Sequence, residues 1–265
     1  MTPSGDAEPT LASIPGQRRG RARLEPLSQR ERGLYDWILT AFAAGTPPTP
    51  DALADTASSL ELEVEAALAT FAREDLVHHD PVTGAILVAY PFSGTPRGHR
   101  VLIDGSYSVE AMCAIDALGI APMLGLPIEI TSRDPHTDRE VWVRLDPGEG
   151  AWWEPETAVV LDGCVGTDGP SYRTCCGALN FFESGESALS YLVTNPGISG
   201  RAIPLPEAIE LGRAIFGTCS PARRHNRMRA ERSIADVVLT ALNGNPVELA
   251  HYQGRRHVLF VWASW

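Results

Sequence analysis

Apolar positions fall into helical spacing soon after residue 27. Leu34, Trp37, Ile38, Ala41 and Phe42 recur at i, i+3, i+4, i+7 and i+8, which is one face of a helix. A second helix is predicted behind "GTPPTPDALADTA", with Thr49 as N-cap and Pro50 at the first helical position. A third follows in "SSLELEVEAALATFARE". Ser58 and Glu61 have the spacing of a capping box, and Val64, Ala67, Leu68 and Phe71 form its apolar stripe. The pattern then shortens to strands. "LVHH", the turn "DPVTG" and "AILVAY" predict a β-hairpin. Three helices and a hairpin predict a winged-helix-like module over 28–97.

From residue 98 to 222 the periods mix. "RVLID" reads as a strand, and "SVEAMCAIDALGIAPMLG" as a helix through about Ala121, with Pro122 near its end. "LPIEITSR" and "EVWVRLDP", joined by "DPHTDR", predict a hairpin in which Ile128, Ile130, Val141 and Val143 alternate with more polar neighbours. "TAVVLDG" is a further strand, and "SGESALSYLVTNPG" and "LPEAIELGRAIFG" are helices. The fold class expected is α+β, a mixed or antiparallel sheet with helices behind the three-helix module. Residues 1–27 are rich in Pro, Gly and Arg without periodicity and are expected to be a disordered tail. The segment 223–265 is similar to the opening strands of thioredoxin-like proteins. Its "NGNPVELA" and "VLFVWASW" stop before the position of a redox Cys-x-x-C, so no redox activity is expected of it.

Composition narrows the function classes. The chain has 265 residues and a net charge of −11, which disfavours nucleic acid and anionic membranes as partners. All 22 basic residues are Arg, a bias of composition rather than of chemistry. The third helix carries Glu61, Glu63, Glu65 and Glu74 against Arg73, so it is poorly suited to a DNA groove. No secretory signal and no stretch of about 18 apolar residues is present, which predicts a cytoplasmic chain with reduced thiols.

The five cysteines carry the candidate chemistry. Cys113 and Asp116 lie three residues apart in an apolar helix and would share a face. A carboxylate there is costly to bury alone, and beside a thiol it can accept and return a proton. Cys175 and Cys176 are adjacent in "SYRTCCGALNFF". Cys164 and Cys219 read as small incidental thiols, and His78, His79 and His136 as solvent-facing. Neither H-x-x-x-H nor C-x-x-C occurs, so a zinc site is not signalled. Two thiols and an acid suit a soft metal, but the residues alone leave a pair of core cysteines equally open.

The ordered set "CAIDAL" (113–118), "PMLG" (122–125), "ITSRDPHTDREVWVRLDP" (130–147), Cys175-Cys176 with Phe181-Phe182, and "EAIELG" (207–212) resembles the alkylmercury (organomercurial) lyase family over about residues 28–217. The resemblance implies protonolysis of a carbon–mercury bond. Cys113 and Cys175 would be the mercury ligands, Asp116 the proton shuttle, and Cys176 a neighbour that shapes the site. It implies no organic cofactor. Small cellular thiols or a mercuric reductase would remove Hg(II). A cysteine found in the hairpin of well-known members is absent here, where "TSRDPH" stands. Two other readings are an enzyme acting on another organometal or carbon–heteroatom bond, and a non-enzymatic thiol-based metal sensor.

Overall fold

The computed structural model describes residues 20–166 and 169–217, and the backbone of 238–240 and 246–248. Helix α1 (Gln29–Ala43) starts at Ser28, whose hydroxyl accepts from the Glu31 amide while the Glu31 carboxylate accepts from the Ser28 amide. This reciprocal pair satisfies two amides that the first turn leaves open. Helix α2 (Pro50–Ser59) begins as expected, on Thr49 and Pro50. Helix α3 (Val64–Arg73) buries Ala67, Leu68 and Phe71. The capping box expected at Ser58 and Glu61 does not form. Ser58 is still inside α2, Glu61 turns the chain with φ 55°, and α3 starts at Glu63 without a side-chain cap. Helix α2 simply runs further than its polar residues suggest.

Strands β1 (Val77–His79) and β2 (Ile86–Ala89) make the predicted hairpin. It is not a separate wing. β3 (Phe92–Ser93) links it to a sheet that continues through β4 (His99–Ile103), β5 (Tyr107–Ala111), β6 (Ile128–Arg133), β7 (Glu140–Asp146) and β8 (Gly150–Glu154). The eight strands lie in the order β1-β2-β3-β5-β4-β6-β7-β8, all pairs antiparallel. The sheet therefore crosses the boundary expected at 97/98, and residues 1–221 form one unit. Ile128 and Ile130 face the core from β6, and Val141, Val143 and Leu145 from β7, as their alternation predicts.

The helix expected from Ser108 starts later. Residues 107–111 are β5 because Val109 and Ala111 alternate inward with Ser108 and Glu110, a period of two rather than 3.6. Helix α4 (Ala114–Leu124) follows and carries Pro122 inside it. Ten of its 11 residues are buried, so it is the hydrophobic axis of the unit. A second sheet has β9 (Val159–Cys164) between β10 (Phe181–Phe182) and β11 (Ser199–Pro204). Helices α5 (Ser171–Thr174), α6 (Gly185–Thr194) and α7 (Leu205–Phe216) complete the unit.

Helices α4 and α7 meet backbone to backbone at the glycine that ends "EAIELG". A Cβ on Gly212 would stand 3.0 Å from the Gly119 amide nitrogen and 3.2 Å from the Ile115 carbonyl oxygen. Gly212→Ala is expected to destabilise the protein by about 1–3 kcal/mol through overpacking. The check is a lower urea midpoint with an unchanged slope.

The tail ends earlier than its composition suggests. Gly20–Arg23 forms a 3₁₀ turn and Leu27 is buried, while residues 1–19 lie outside the described residues. Residues 222–265 form a second unit. Its strands β12 (Val238–Thr240) and β13 (Pro246–Glu248) pair antiparallel. The remainder of the expected thioredoxin-like stub lies outside the described residues.

Candidate active site

Cys113 precedes α4 rather than lying within it. The chain leaves β5 and is pinned on both sides of the cysteine: the Met112 amide donates to the Pro91 carbonyl at 3.0 Å, and the Ala114 amide to the Leu179 carbonyl at 2.9 Å. Cys113 is thus the N-cap of α4, in extended conformation (φ −157°), and its Sγ accepts from the Asp116 amide at 3.4 Å. Capping places Asp116 in the first turn, beside the sulfur that caps it. The three-residue spacing read from the sequence keeps its meaning, with a cap replacing a shared helix face as its cause.

The second thiol comes from the turn after α5. The amides of Cys175 and Cys176 both donate to the Ser171 carbonyl, at 2.9 and 3.0 Å. The Leu179 amide returns to the Cys175 carbonyl at 3.1 Å. This tight turn delivers Cys176 to α4. Its Sγ lies 3.9 Å from Asp116 Oδ2 and 3.9 Å from the Tyr90 hydroxyl. Cys113 Sγ, an Asp116 carboxylate oxygen and Cys176 Sγ all lie within 4.8 Å of one another, and all three residues are buried. Among the described residues this is the one group of three or more His, Cys, Asp and Glu side chains so arranged.

Here the geometry differs from the sequence expectation, which took Cys175 as the second ligand and Cys176 as its neighbour. Cys176 belongs to the buried trio. Cys175 is half-buried, with its Sγ 3.6 Å from the Thr174 hydroxyl. Both amides serve one carbonyl, yet of the two residues only Cys176 belongs to the trio. Tyr90 was missed altogether, because nothing local in "VAYPFSG" brings it near residue 176.

Electrostatics mark the trio as unusual. Burial raises the Asp116 carboxyl to about 7, against contacts with the thiols that favour its charged form. Burial also pushes the Cys113 thiol well above its ordinary range, reinforced by Cys176 and Asp116. The helix N-terminus works in the opposite direction, favouring a thiolate, but desolvation dominates. The Tyr90 hydroxyl is likewise raised by burial and by Cys176. Cys113 therefore rests as a neutral thiol, and Asp116 changes charge near neutral pH.

A buried acid with a raised pKa makes stability depend on pH. The folded chain holds the Asp116 proton up to about pH 7, while an unperturbed carboxyl releases it near 3.8. The native state binds more protons across that window, so stability falls as pH rises through it. Asp116→Asn removes this effect. The variant is expected to gain stability over the parent on the order of 4 kcal/mol at pH 8 and under half of that at pH 5. Thermal melts at the two pH values check it.

A cavity of about 250 Å³ opens beside Cys176, lined also by Arg97, His99, Met112 and Asn180. Burial lowers the His99 ring to about 4, so it is neutral there, with Nδ1 2.9 Å from the Ser132 hydroxyl. Elsewhere, Cys164 ends β9 half-buried, Cys219 lies outside the described residues, and His136 is exposed. His78 is not solvent-facing as expected: it is largely buried, hydrogen-bonded to Asp75 at 2.7 Å and packed on the Tyr172 ring. None of the described cysteines is in a disulfide. No helix among the described residues is long and apolar enough to cross a membrane.

The family model for alkylmercury lyase matches residues 92–217. The alkylmercury lyase of Staphylococcus epidermidis is 30% identical over 181 residues, covering 68% of this chain and 80% of that protein. That of Streptomyces lividans is 29% identical over 184 residues, 69% of this chain and 81% of the relative. That of Bacillus cereus is 29% identical over 203 residues, 74% and 88%. In fold, the chain is similar to the crystal structure of the mercury-bound form of MerB2, with a TM-score of 0.61 and 20% identity over 75% of this chain and 95% of that one.

Proposed function

The chain belongs to the alkylmercury lyase family, and from that premise we propose that it splits the carbon–mercury bond of organomercurials R–Hg⁺ into R–H and Hg(II), using Cys113, Cys176 and Asp116. The observation that carries the assignment of residues is the buried trio, two sulfurs and a carboxylate oxygen within 4.8 Å of one another.

The steps follow from the charges. Burial holds the Cys113 thiol neutral before substrate arrives. An incoming R–Hg⁺ brings the positive charge that a thiolate needs, so capture by one sulfur expels that thiol's proton to solvent. The second thiol then has a cation to ligate and a base beside it. Asp116, which with a pKa of about 7 is ionised in an appreciable fraction of molecules at neutral pH, takes this second proton in its carboxylate form. Two thiolates now donate electron density to mercury and weaken its bond to carbon. Asp116 returns its proton to that carbon as the bonding pair collapses onto it. The balance is R–Hg⁺ plus two thiols giving R–H, Hg(II) on two thiolates, and one proton in solution. The cavity beside Cys176 has room for a small alkyl or aryl group, and burial excludes competing water.

Release of Hg(II) from two thiolates requires competing sulfur ligands, so small cellular thiols or a mercuric reductase are the acceptors. Four cysteines among the described residues, none of them in a disulfide, suit a reducing cytoplasm. The test is incubation with phenylmercuric acetate and excess small thiol, with benzene measured by gas chromatography. Catalytic benzene is expected. Tight mercury binding without benzene would leave a two-thiol metal trap and defeat the proposal.

A further inference from the structure

The site rests on a polar network that the chemistry above does not use. Asp75 sits in the turn after α3 at φ 53°, a left-handed conformation uncommon for a residue with a side chain. It is buried, and its carboxylate meets partners from three separate stretches of chain. Oδ1 accepts from His78 Nε2 at 2.7 Å. Oδ2 accepts from the Ser171 amide at 3.1 Å and the Ser171 hydroxyl at 2.6 Å, and pairs with the Arg23 guanidinium at 3.0 Å. Arg23 also donates to the Asp75 carbonyl at 2.8 Å and to the Ser171 hydroxyl at 3.0 Å. Burial alone would raise the Asp75 carboxyl; His78, Arg23 and Ser171 together hold it below its ordinary value, so it is a fixed anion.

Ser171 is the residue whose carbonyl receives the amides of both Cys175 and Cys176. Asp75 grips the amide and hydroxyl of Ser171, and Ser171 grips the cysteine turn. The same group also reaches Cys176 through Tyr90: the Arg23 guanidinium lies 5.7 Å over the Tyr90 ring, whose hydroxyl is 3.9 Å from Cys176 Sγ. His78, held by Asp75, packs on Tyr172 at 4.7 Å between ring centroids. Cys113, by contrast, is set by α4, by Pro91 and by Leu179.

We propose that Asp75, with Arg23, is a positioning group that fixes the distance between the Cys176 sulfur and the Cys113 sulfur, acting through Ser171. The inference rests on the lyase reading only in taking both sulfurs as ligands of one mercury. Without Asp75, Cys113 still captures R–Hg⁺, but the second sulfur closes on it less often.

The test uses the full-length protein with Asp75→Asn and the milder Ser171→Ala, which keeps the backbone links. Benzene release from phenylmercuric acetate is measured per folded protein, and Hg(II) retention is measured against a competing dithiol. In both variants kcat is expected to fall about 10–100-fold, the scale set by a misplacement near 1 Å. Hg(II) should be extracted at lower dithiol concentration, while one-to-one capture of phenylmercury persists. Asp75→Glu, which keeps the anion, should recover part of kcat. If the variants melt earlier but keep kcat per folded protein and Hg(II) retention, Asp75 is a structural link only and the proposal is overturned. If the parent itself releases no benzene, the lyase reading fails, and the Hg(II) retention comparison still decides the role of Asp75.

Discussion

Cys176→Ser is expected to cut benzene release at least about 10³-fold, the scale of losing a member of a catalytic unit, whereas Cys175→Ser is expected to cost less than about tenfold. The contrast follows from the turn after α5. Only Cys176 brings its sulfur into the group with Asp116 and Cys113. Serine is nearly isosteric and keeps the backbone turn, but its hydroxyl is a poor ligand for a soft cation. Cys175 sits half-buried against Thr174, where a hydroxyl is tolerable. Steady-state kinetics of both variants check it, with thermal melts to confirm folding. The reverse ranking would mean that the turn rearranges to present Cys175 when mercury arrives.

Asp116→Asn is expected to separate capture from cleavage. An amide cannot take the second thiol's proton or deliver it to carbon, so turnover should drop about 10²–10⁴-fold, the range of general acid–base catalysis. Capture needs only the thiols, so the variant should hold phenylmercury one-to-one. Mass spectrometry of the intact protein would show the phenylmercury adduct persisting in the variant and only Hg(II) in the parent. The variant is also the one expected to gain stability at pH 8, since the raised carboxyl pKa is a cost of burial. Loss of activity with a gain in stability would distinguish a functional acid from a structural one.

These expectations show where sequence and structure part. The alternation of Ile128, Ile130, Val141 and Val143 with polar neighbours was enough to place the β6–β7 hairpin, because burial on one face of a strand leaves a period of two. The Cys113–Asp116 pair was legible because three residues at a helix start suffice to bring them together. The choice between Cys175 and Cys176 was not. Adjacent residues in a tight turn differ in direction, and that direction is set by Ser171 and Leu179, contacts no periodicity encodes. Arg23 looked like part of a structureless basic tail. Its role comes from Asp75, 52 residues away, and Ser171, 148 residues away. Asp75 itself was unremarkable in "ARED", since a left-handed aspartate has no local signature there. The joining of the three-helix module to the core sheet through β3 was equally hidden, because a two-residue strand is too short to show alternation.

The most direct measurement is a single turnover in deuterated buffer, with enzyme in excess over phenylmercuric acetate and no added thiol. The account predicts one equivalent of benzene carrying a single deuterium, and one equivalent of Hg(II) left on the protein, lost in Cys113→Ser and Cys176→Ser. Benzene without deuterium, or phenylmercury retained intact on the folded parent protein, would contradict it.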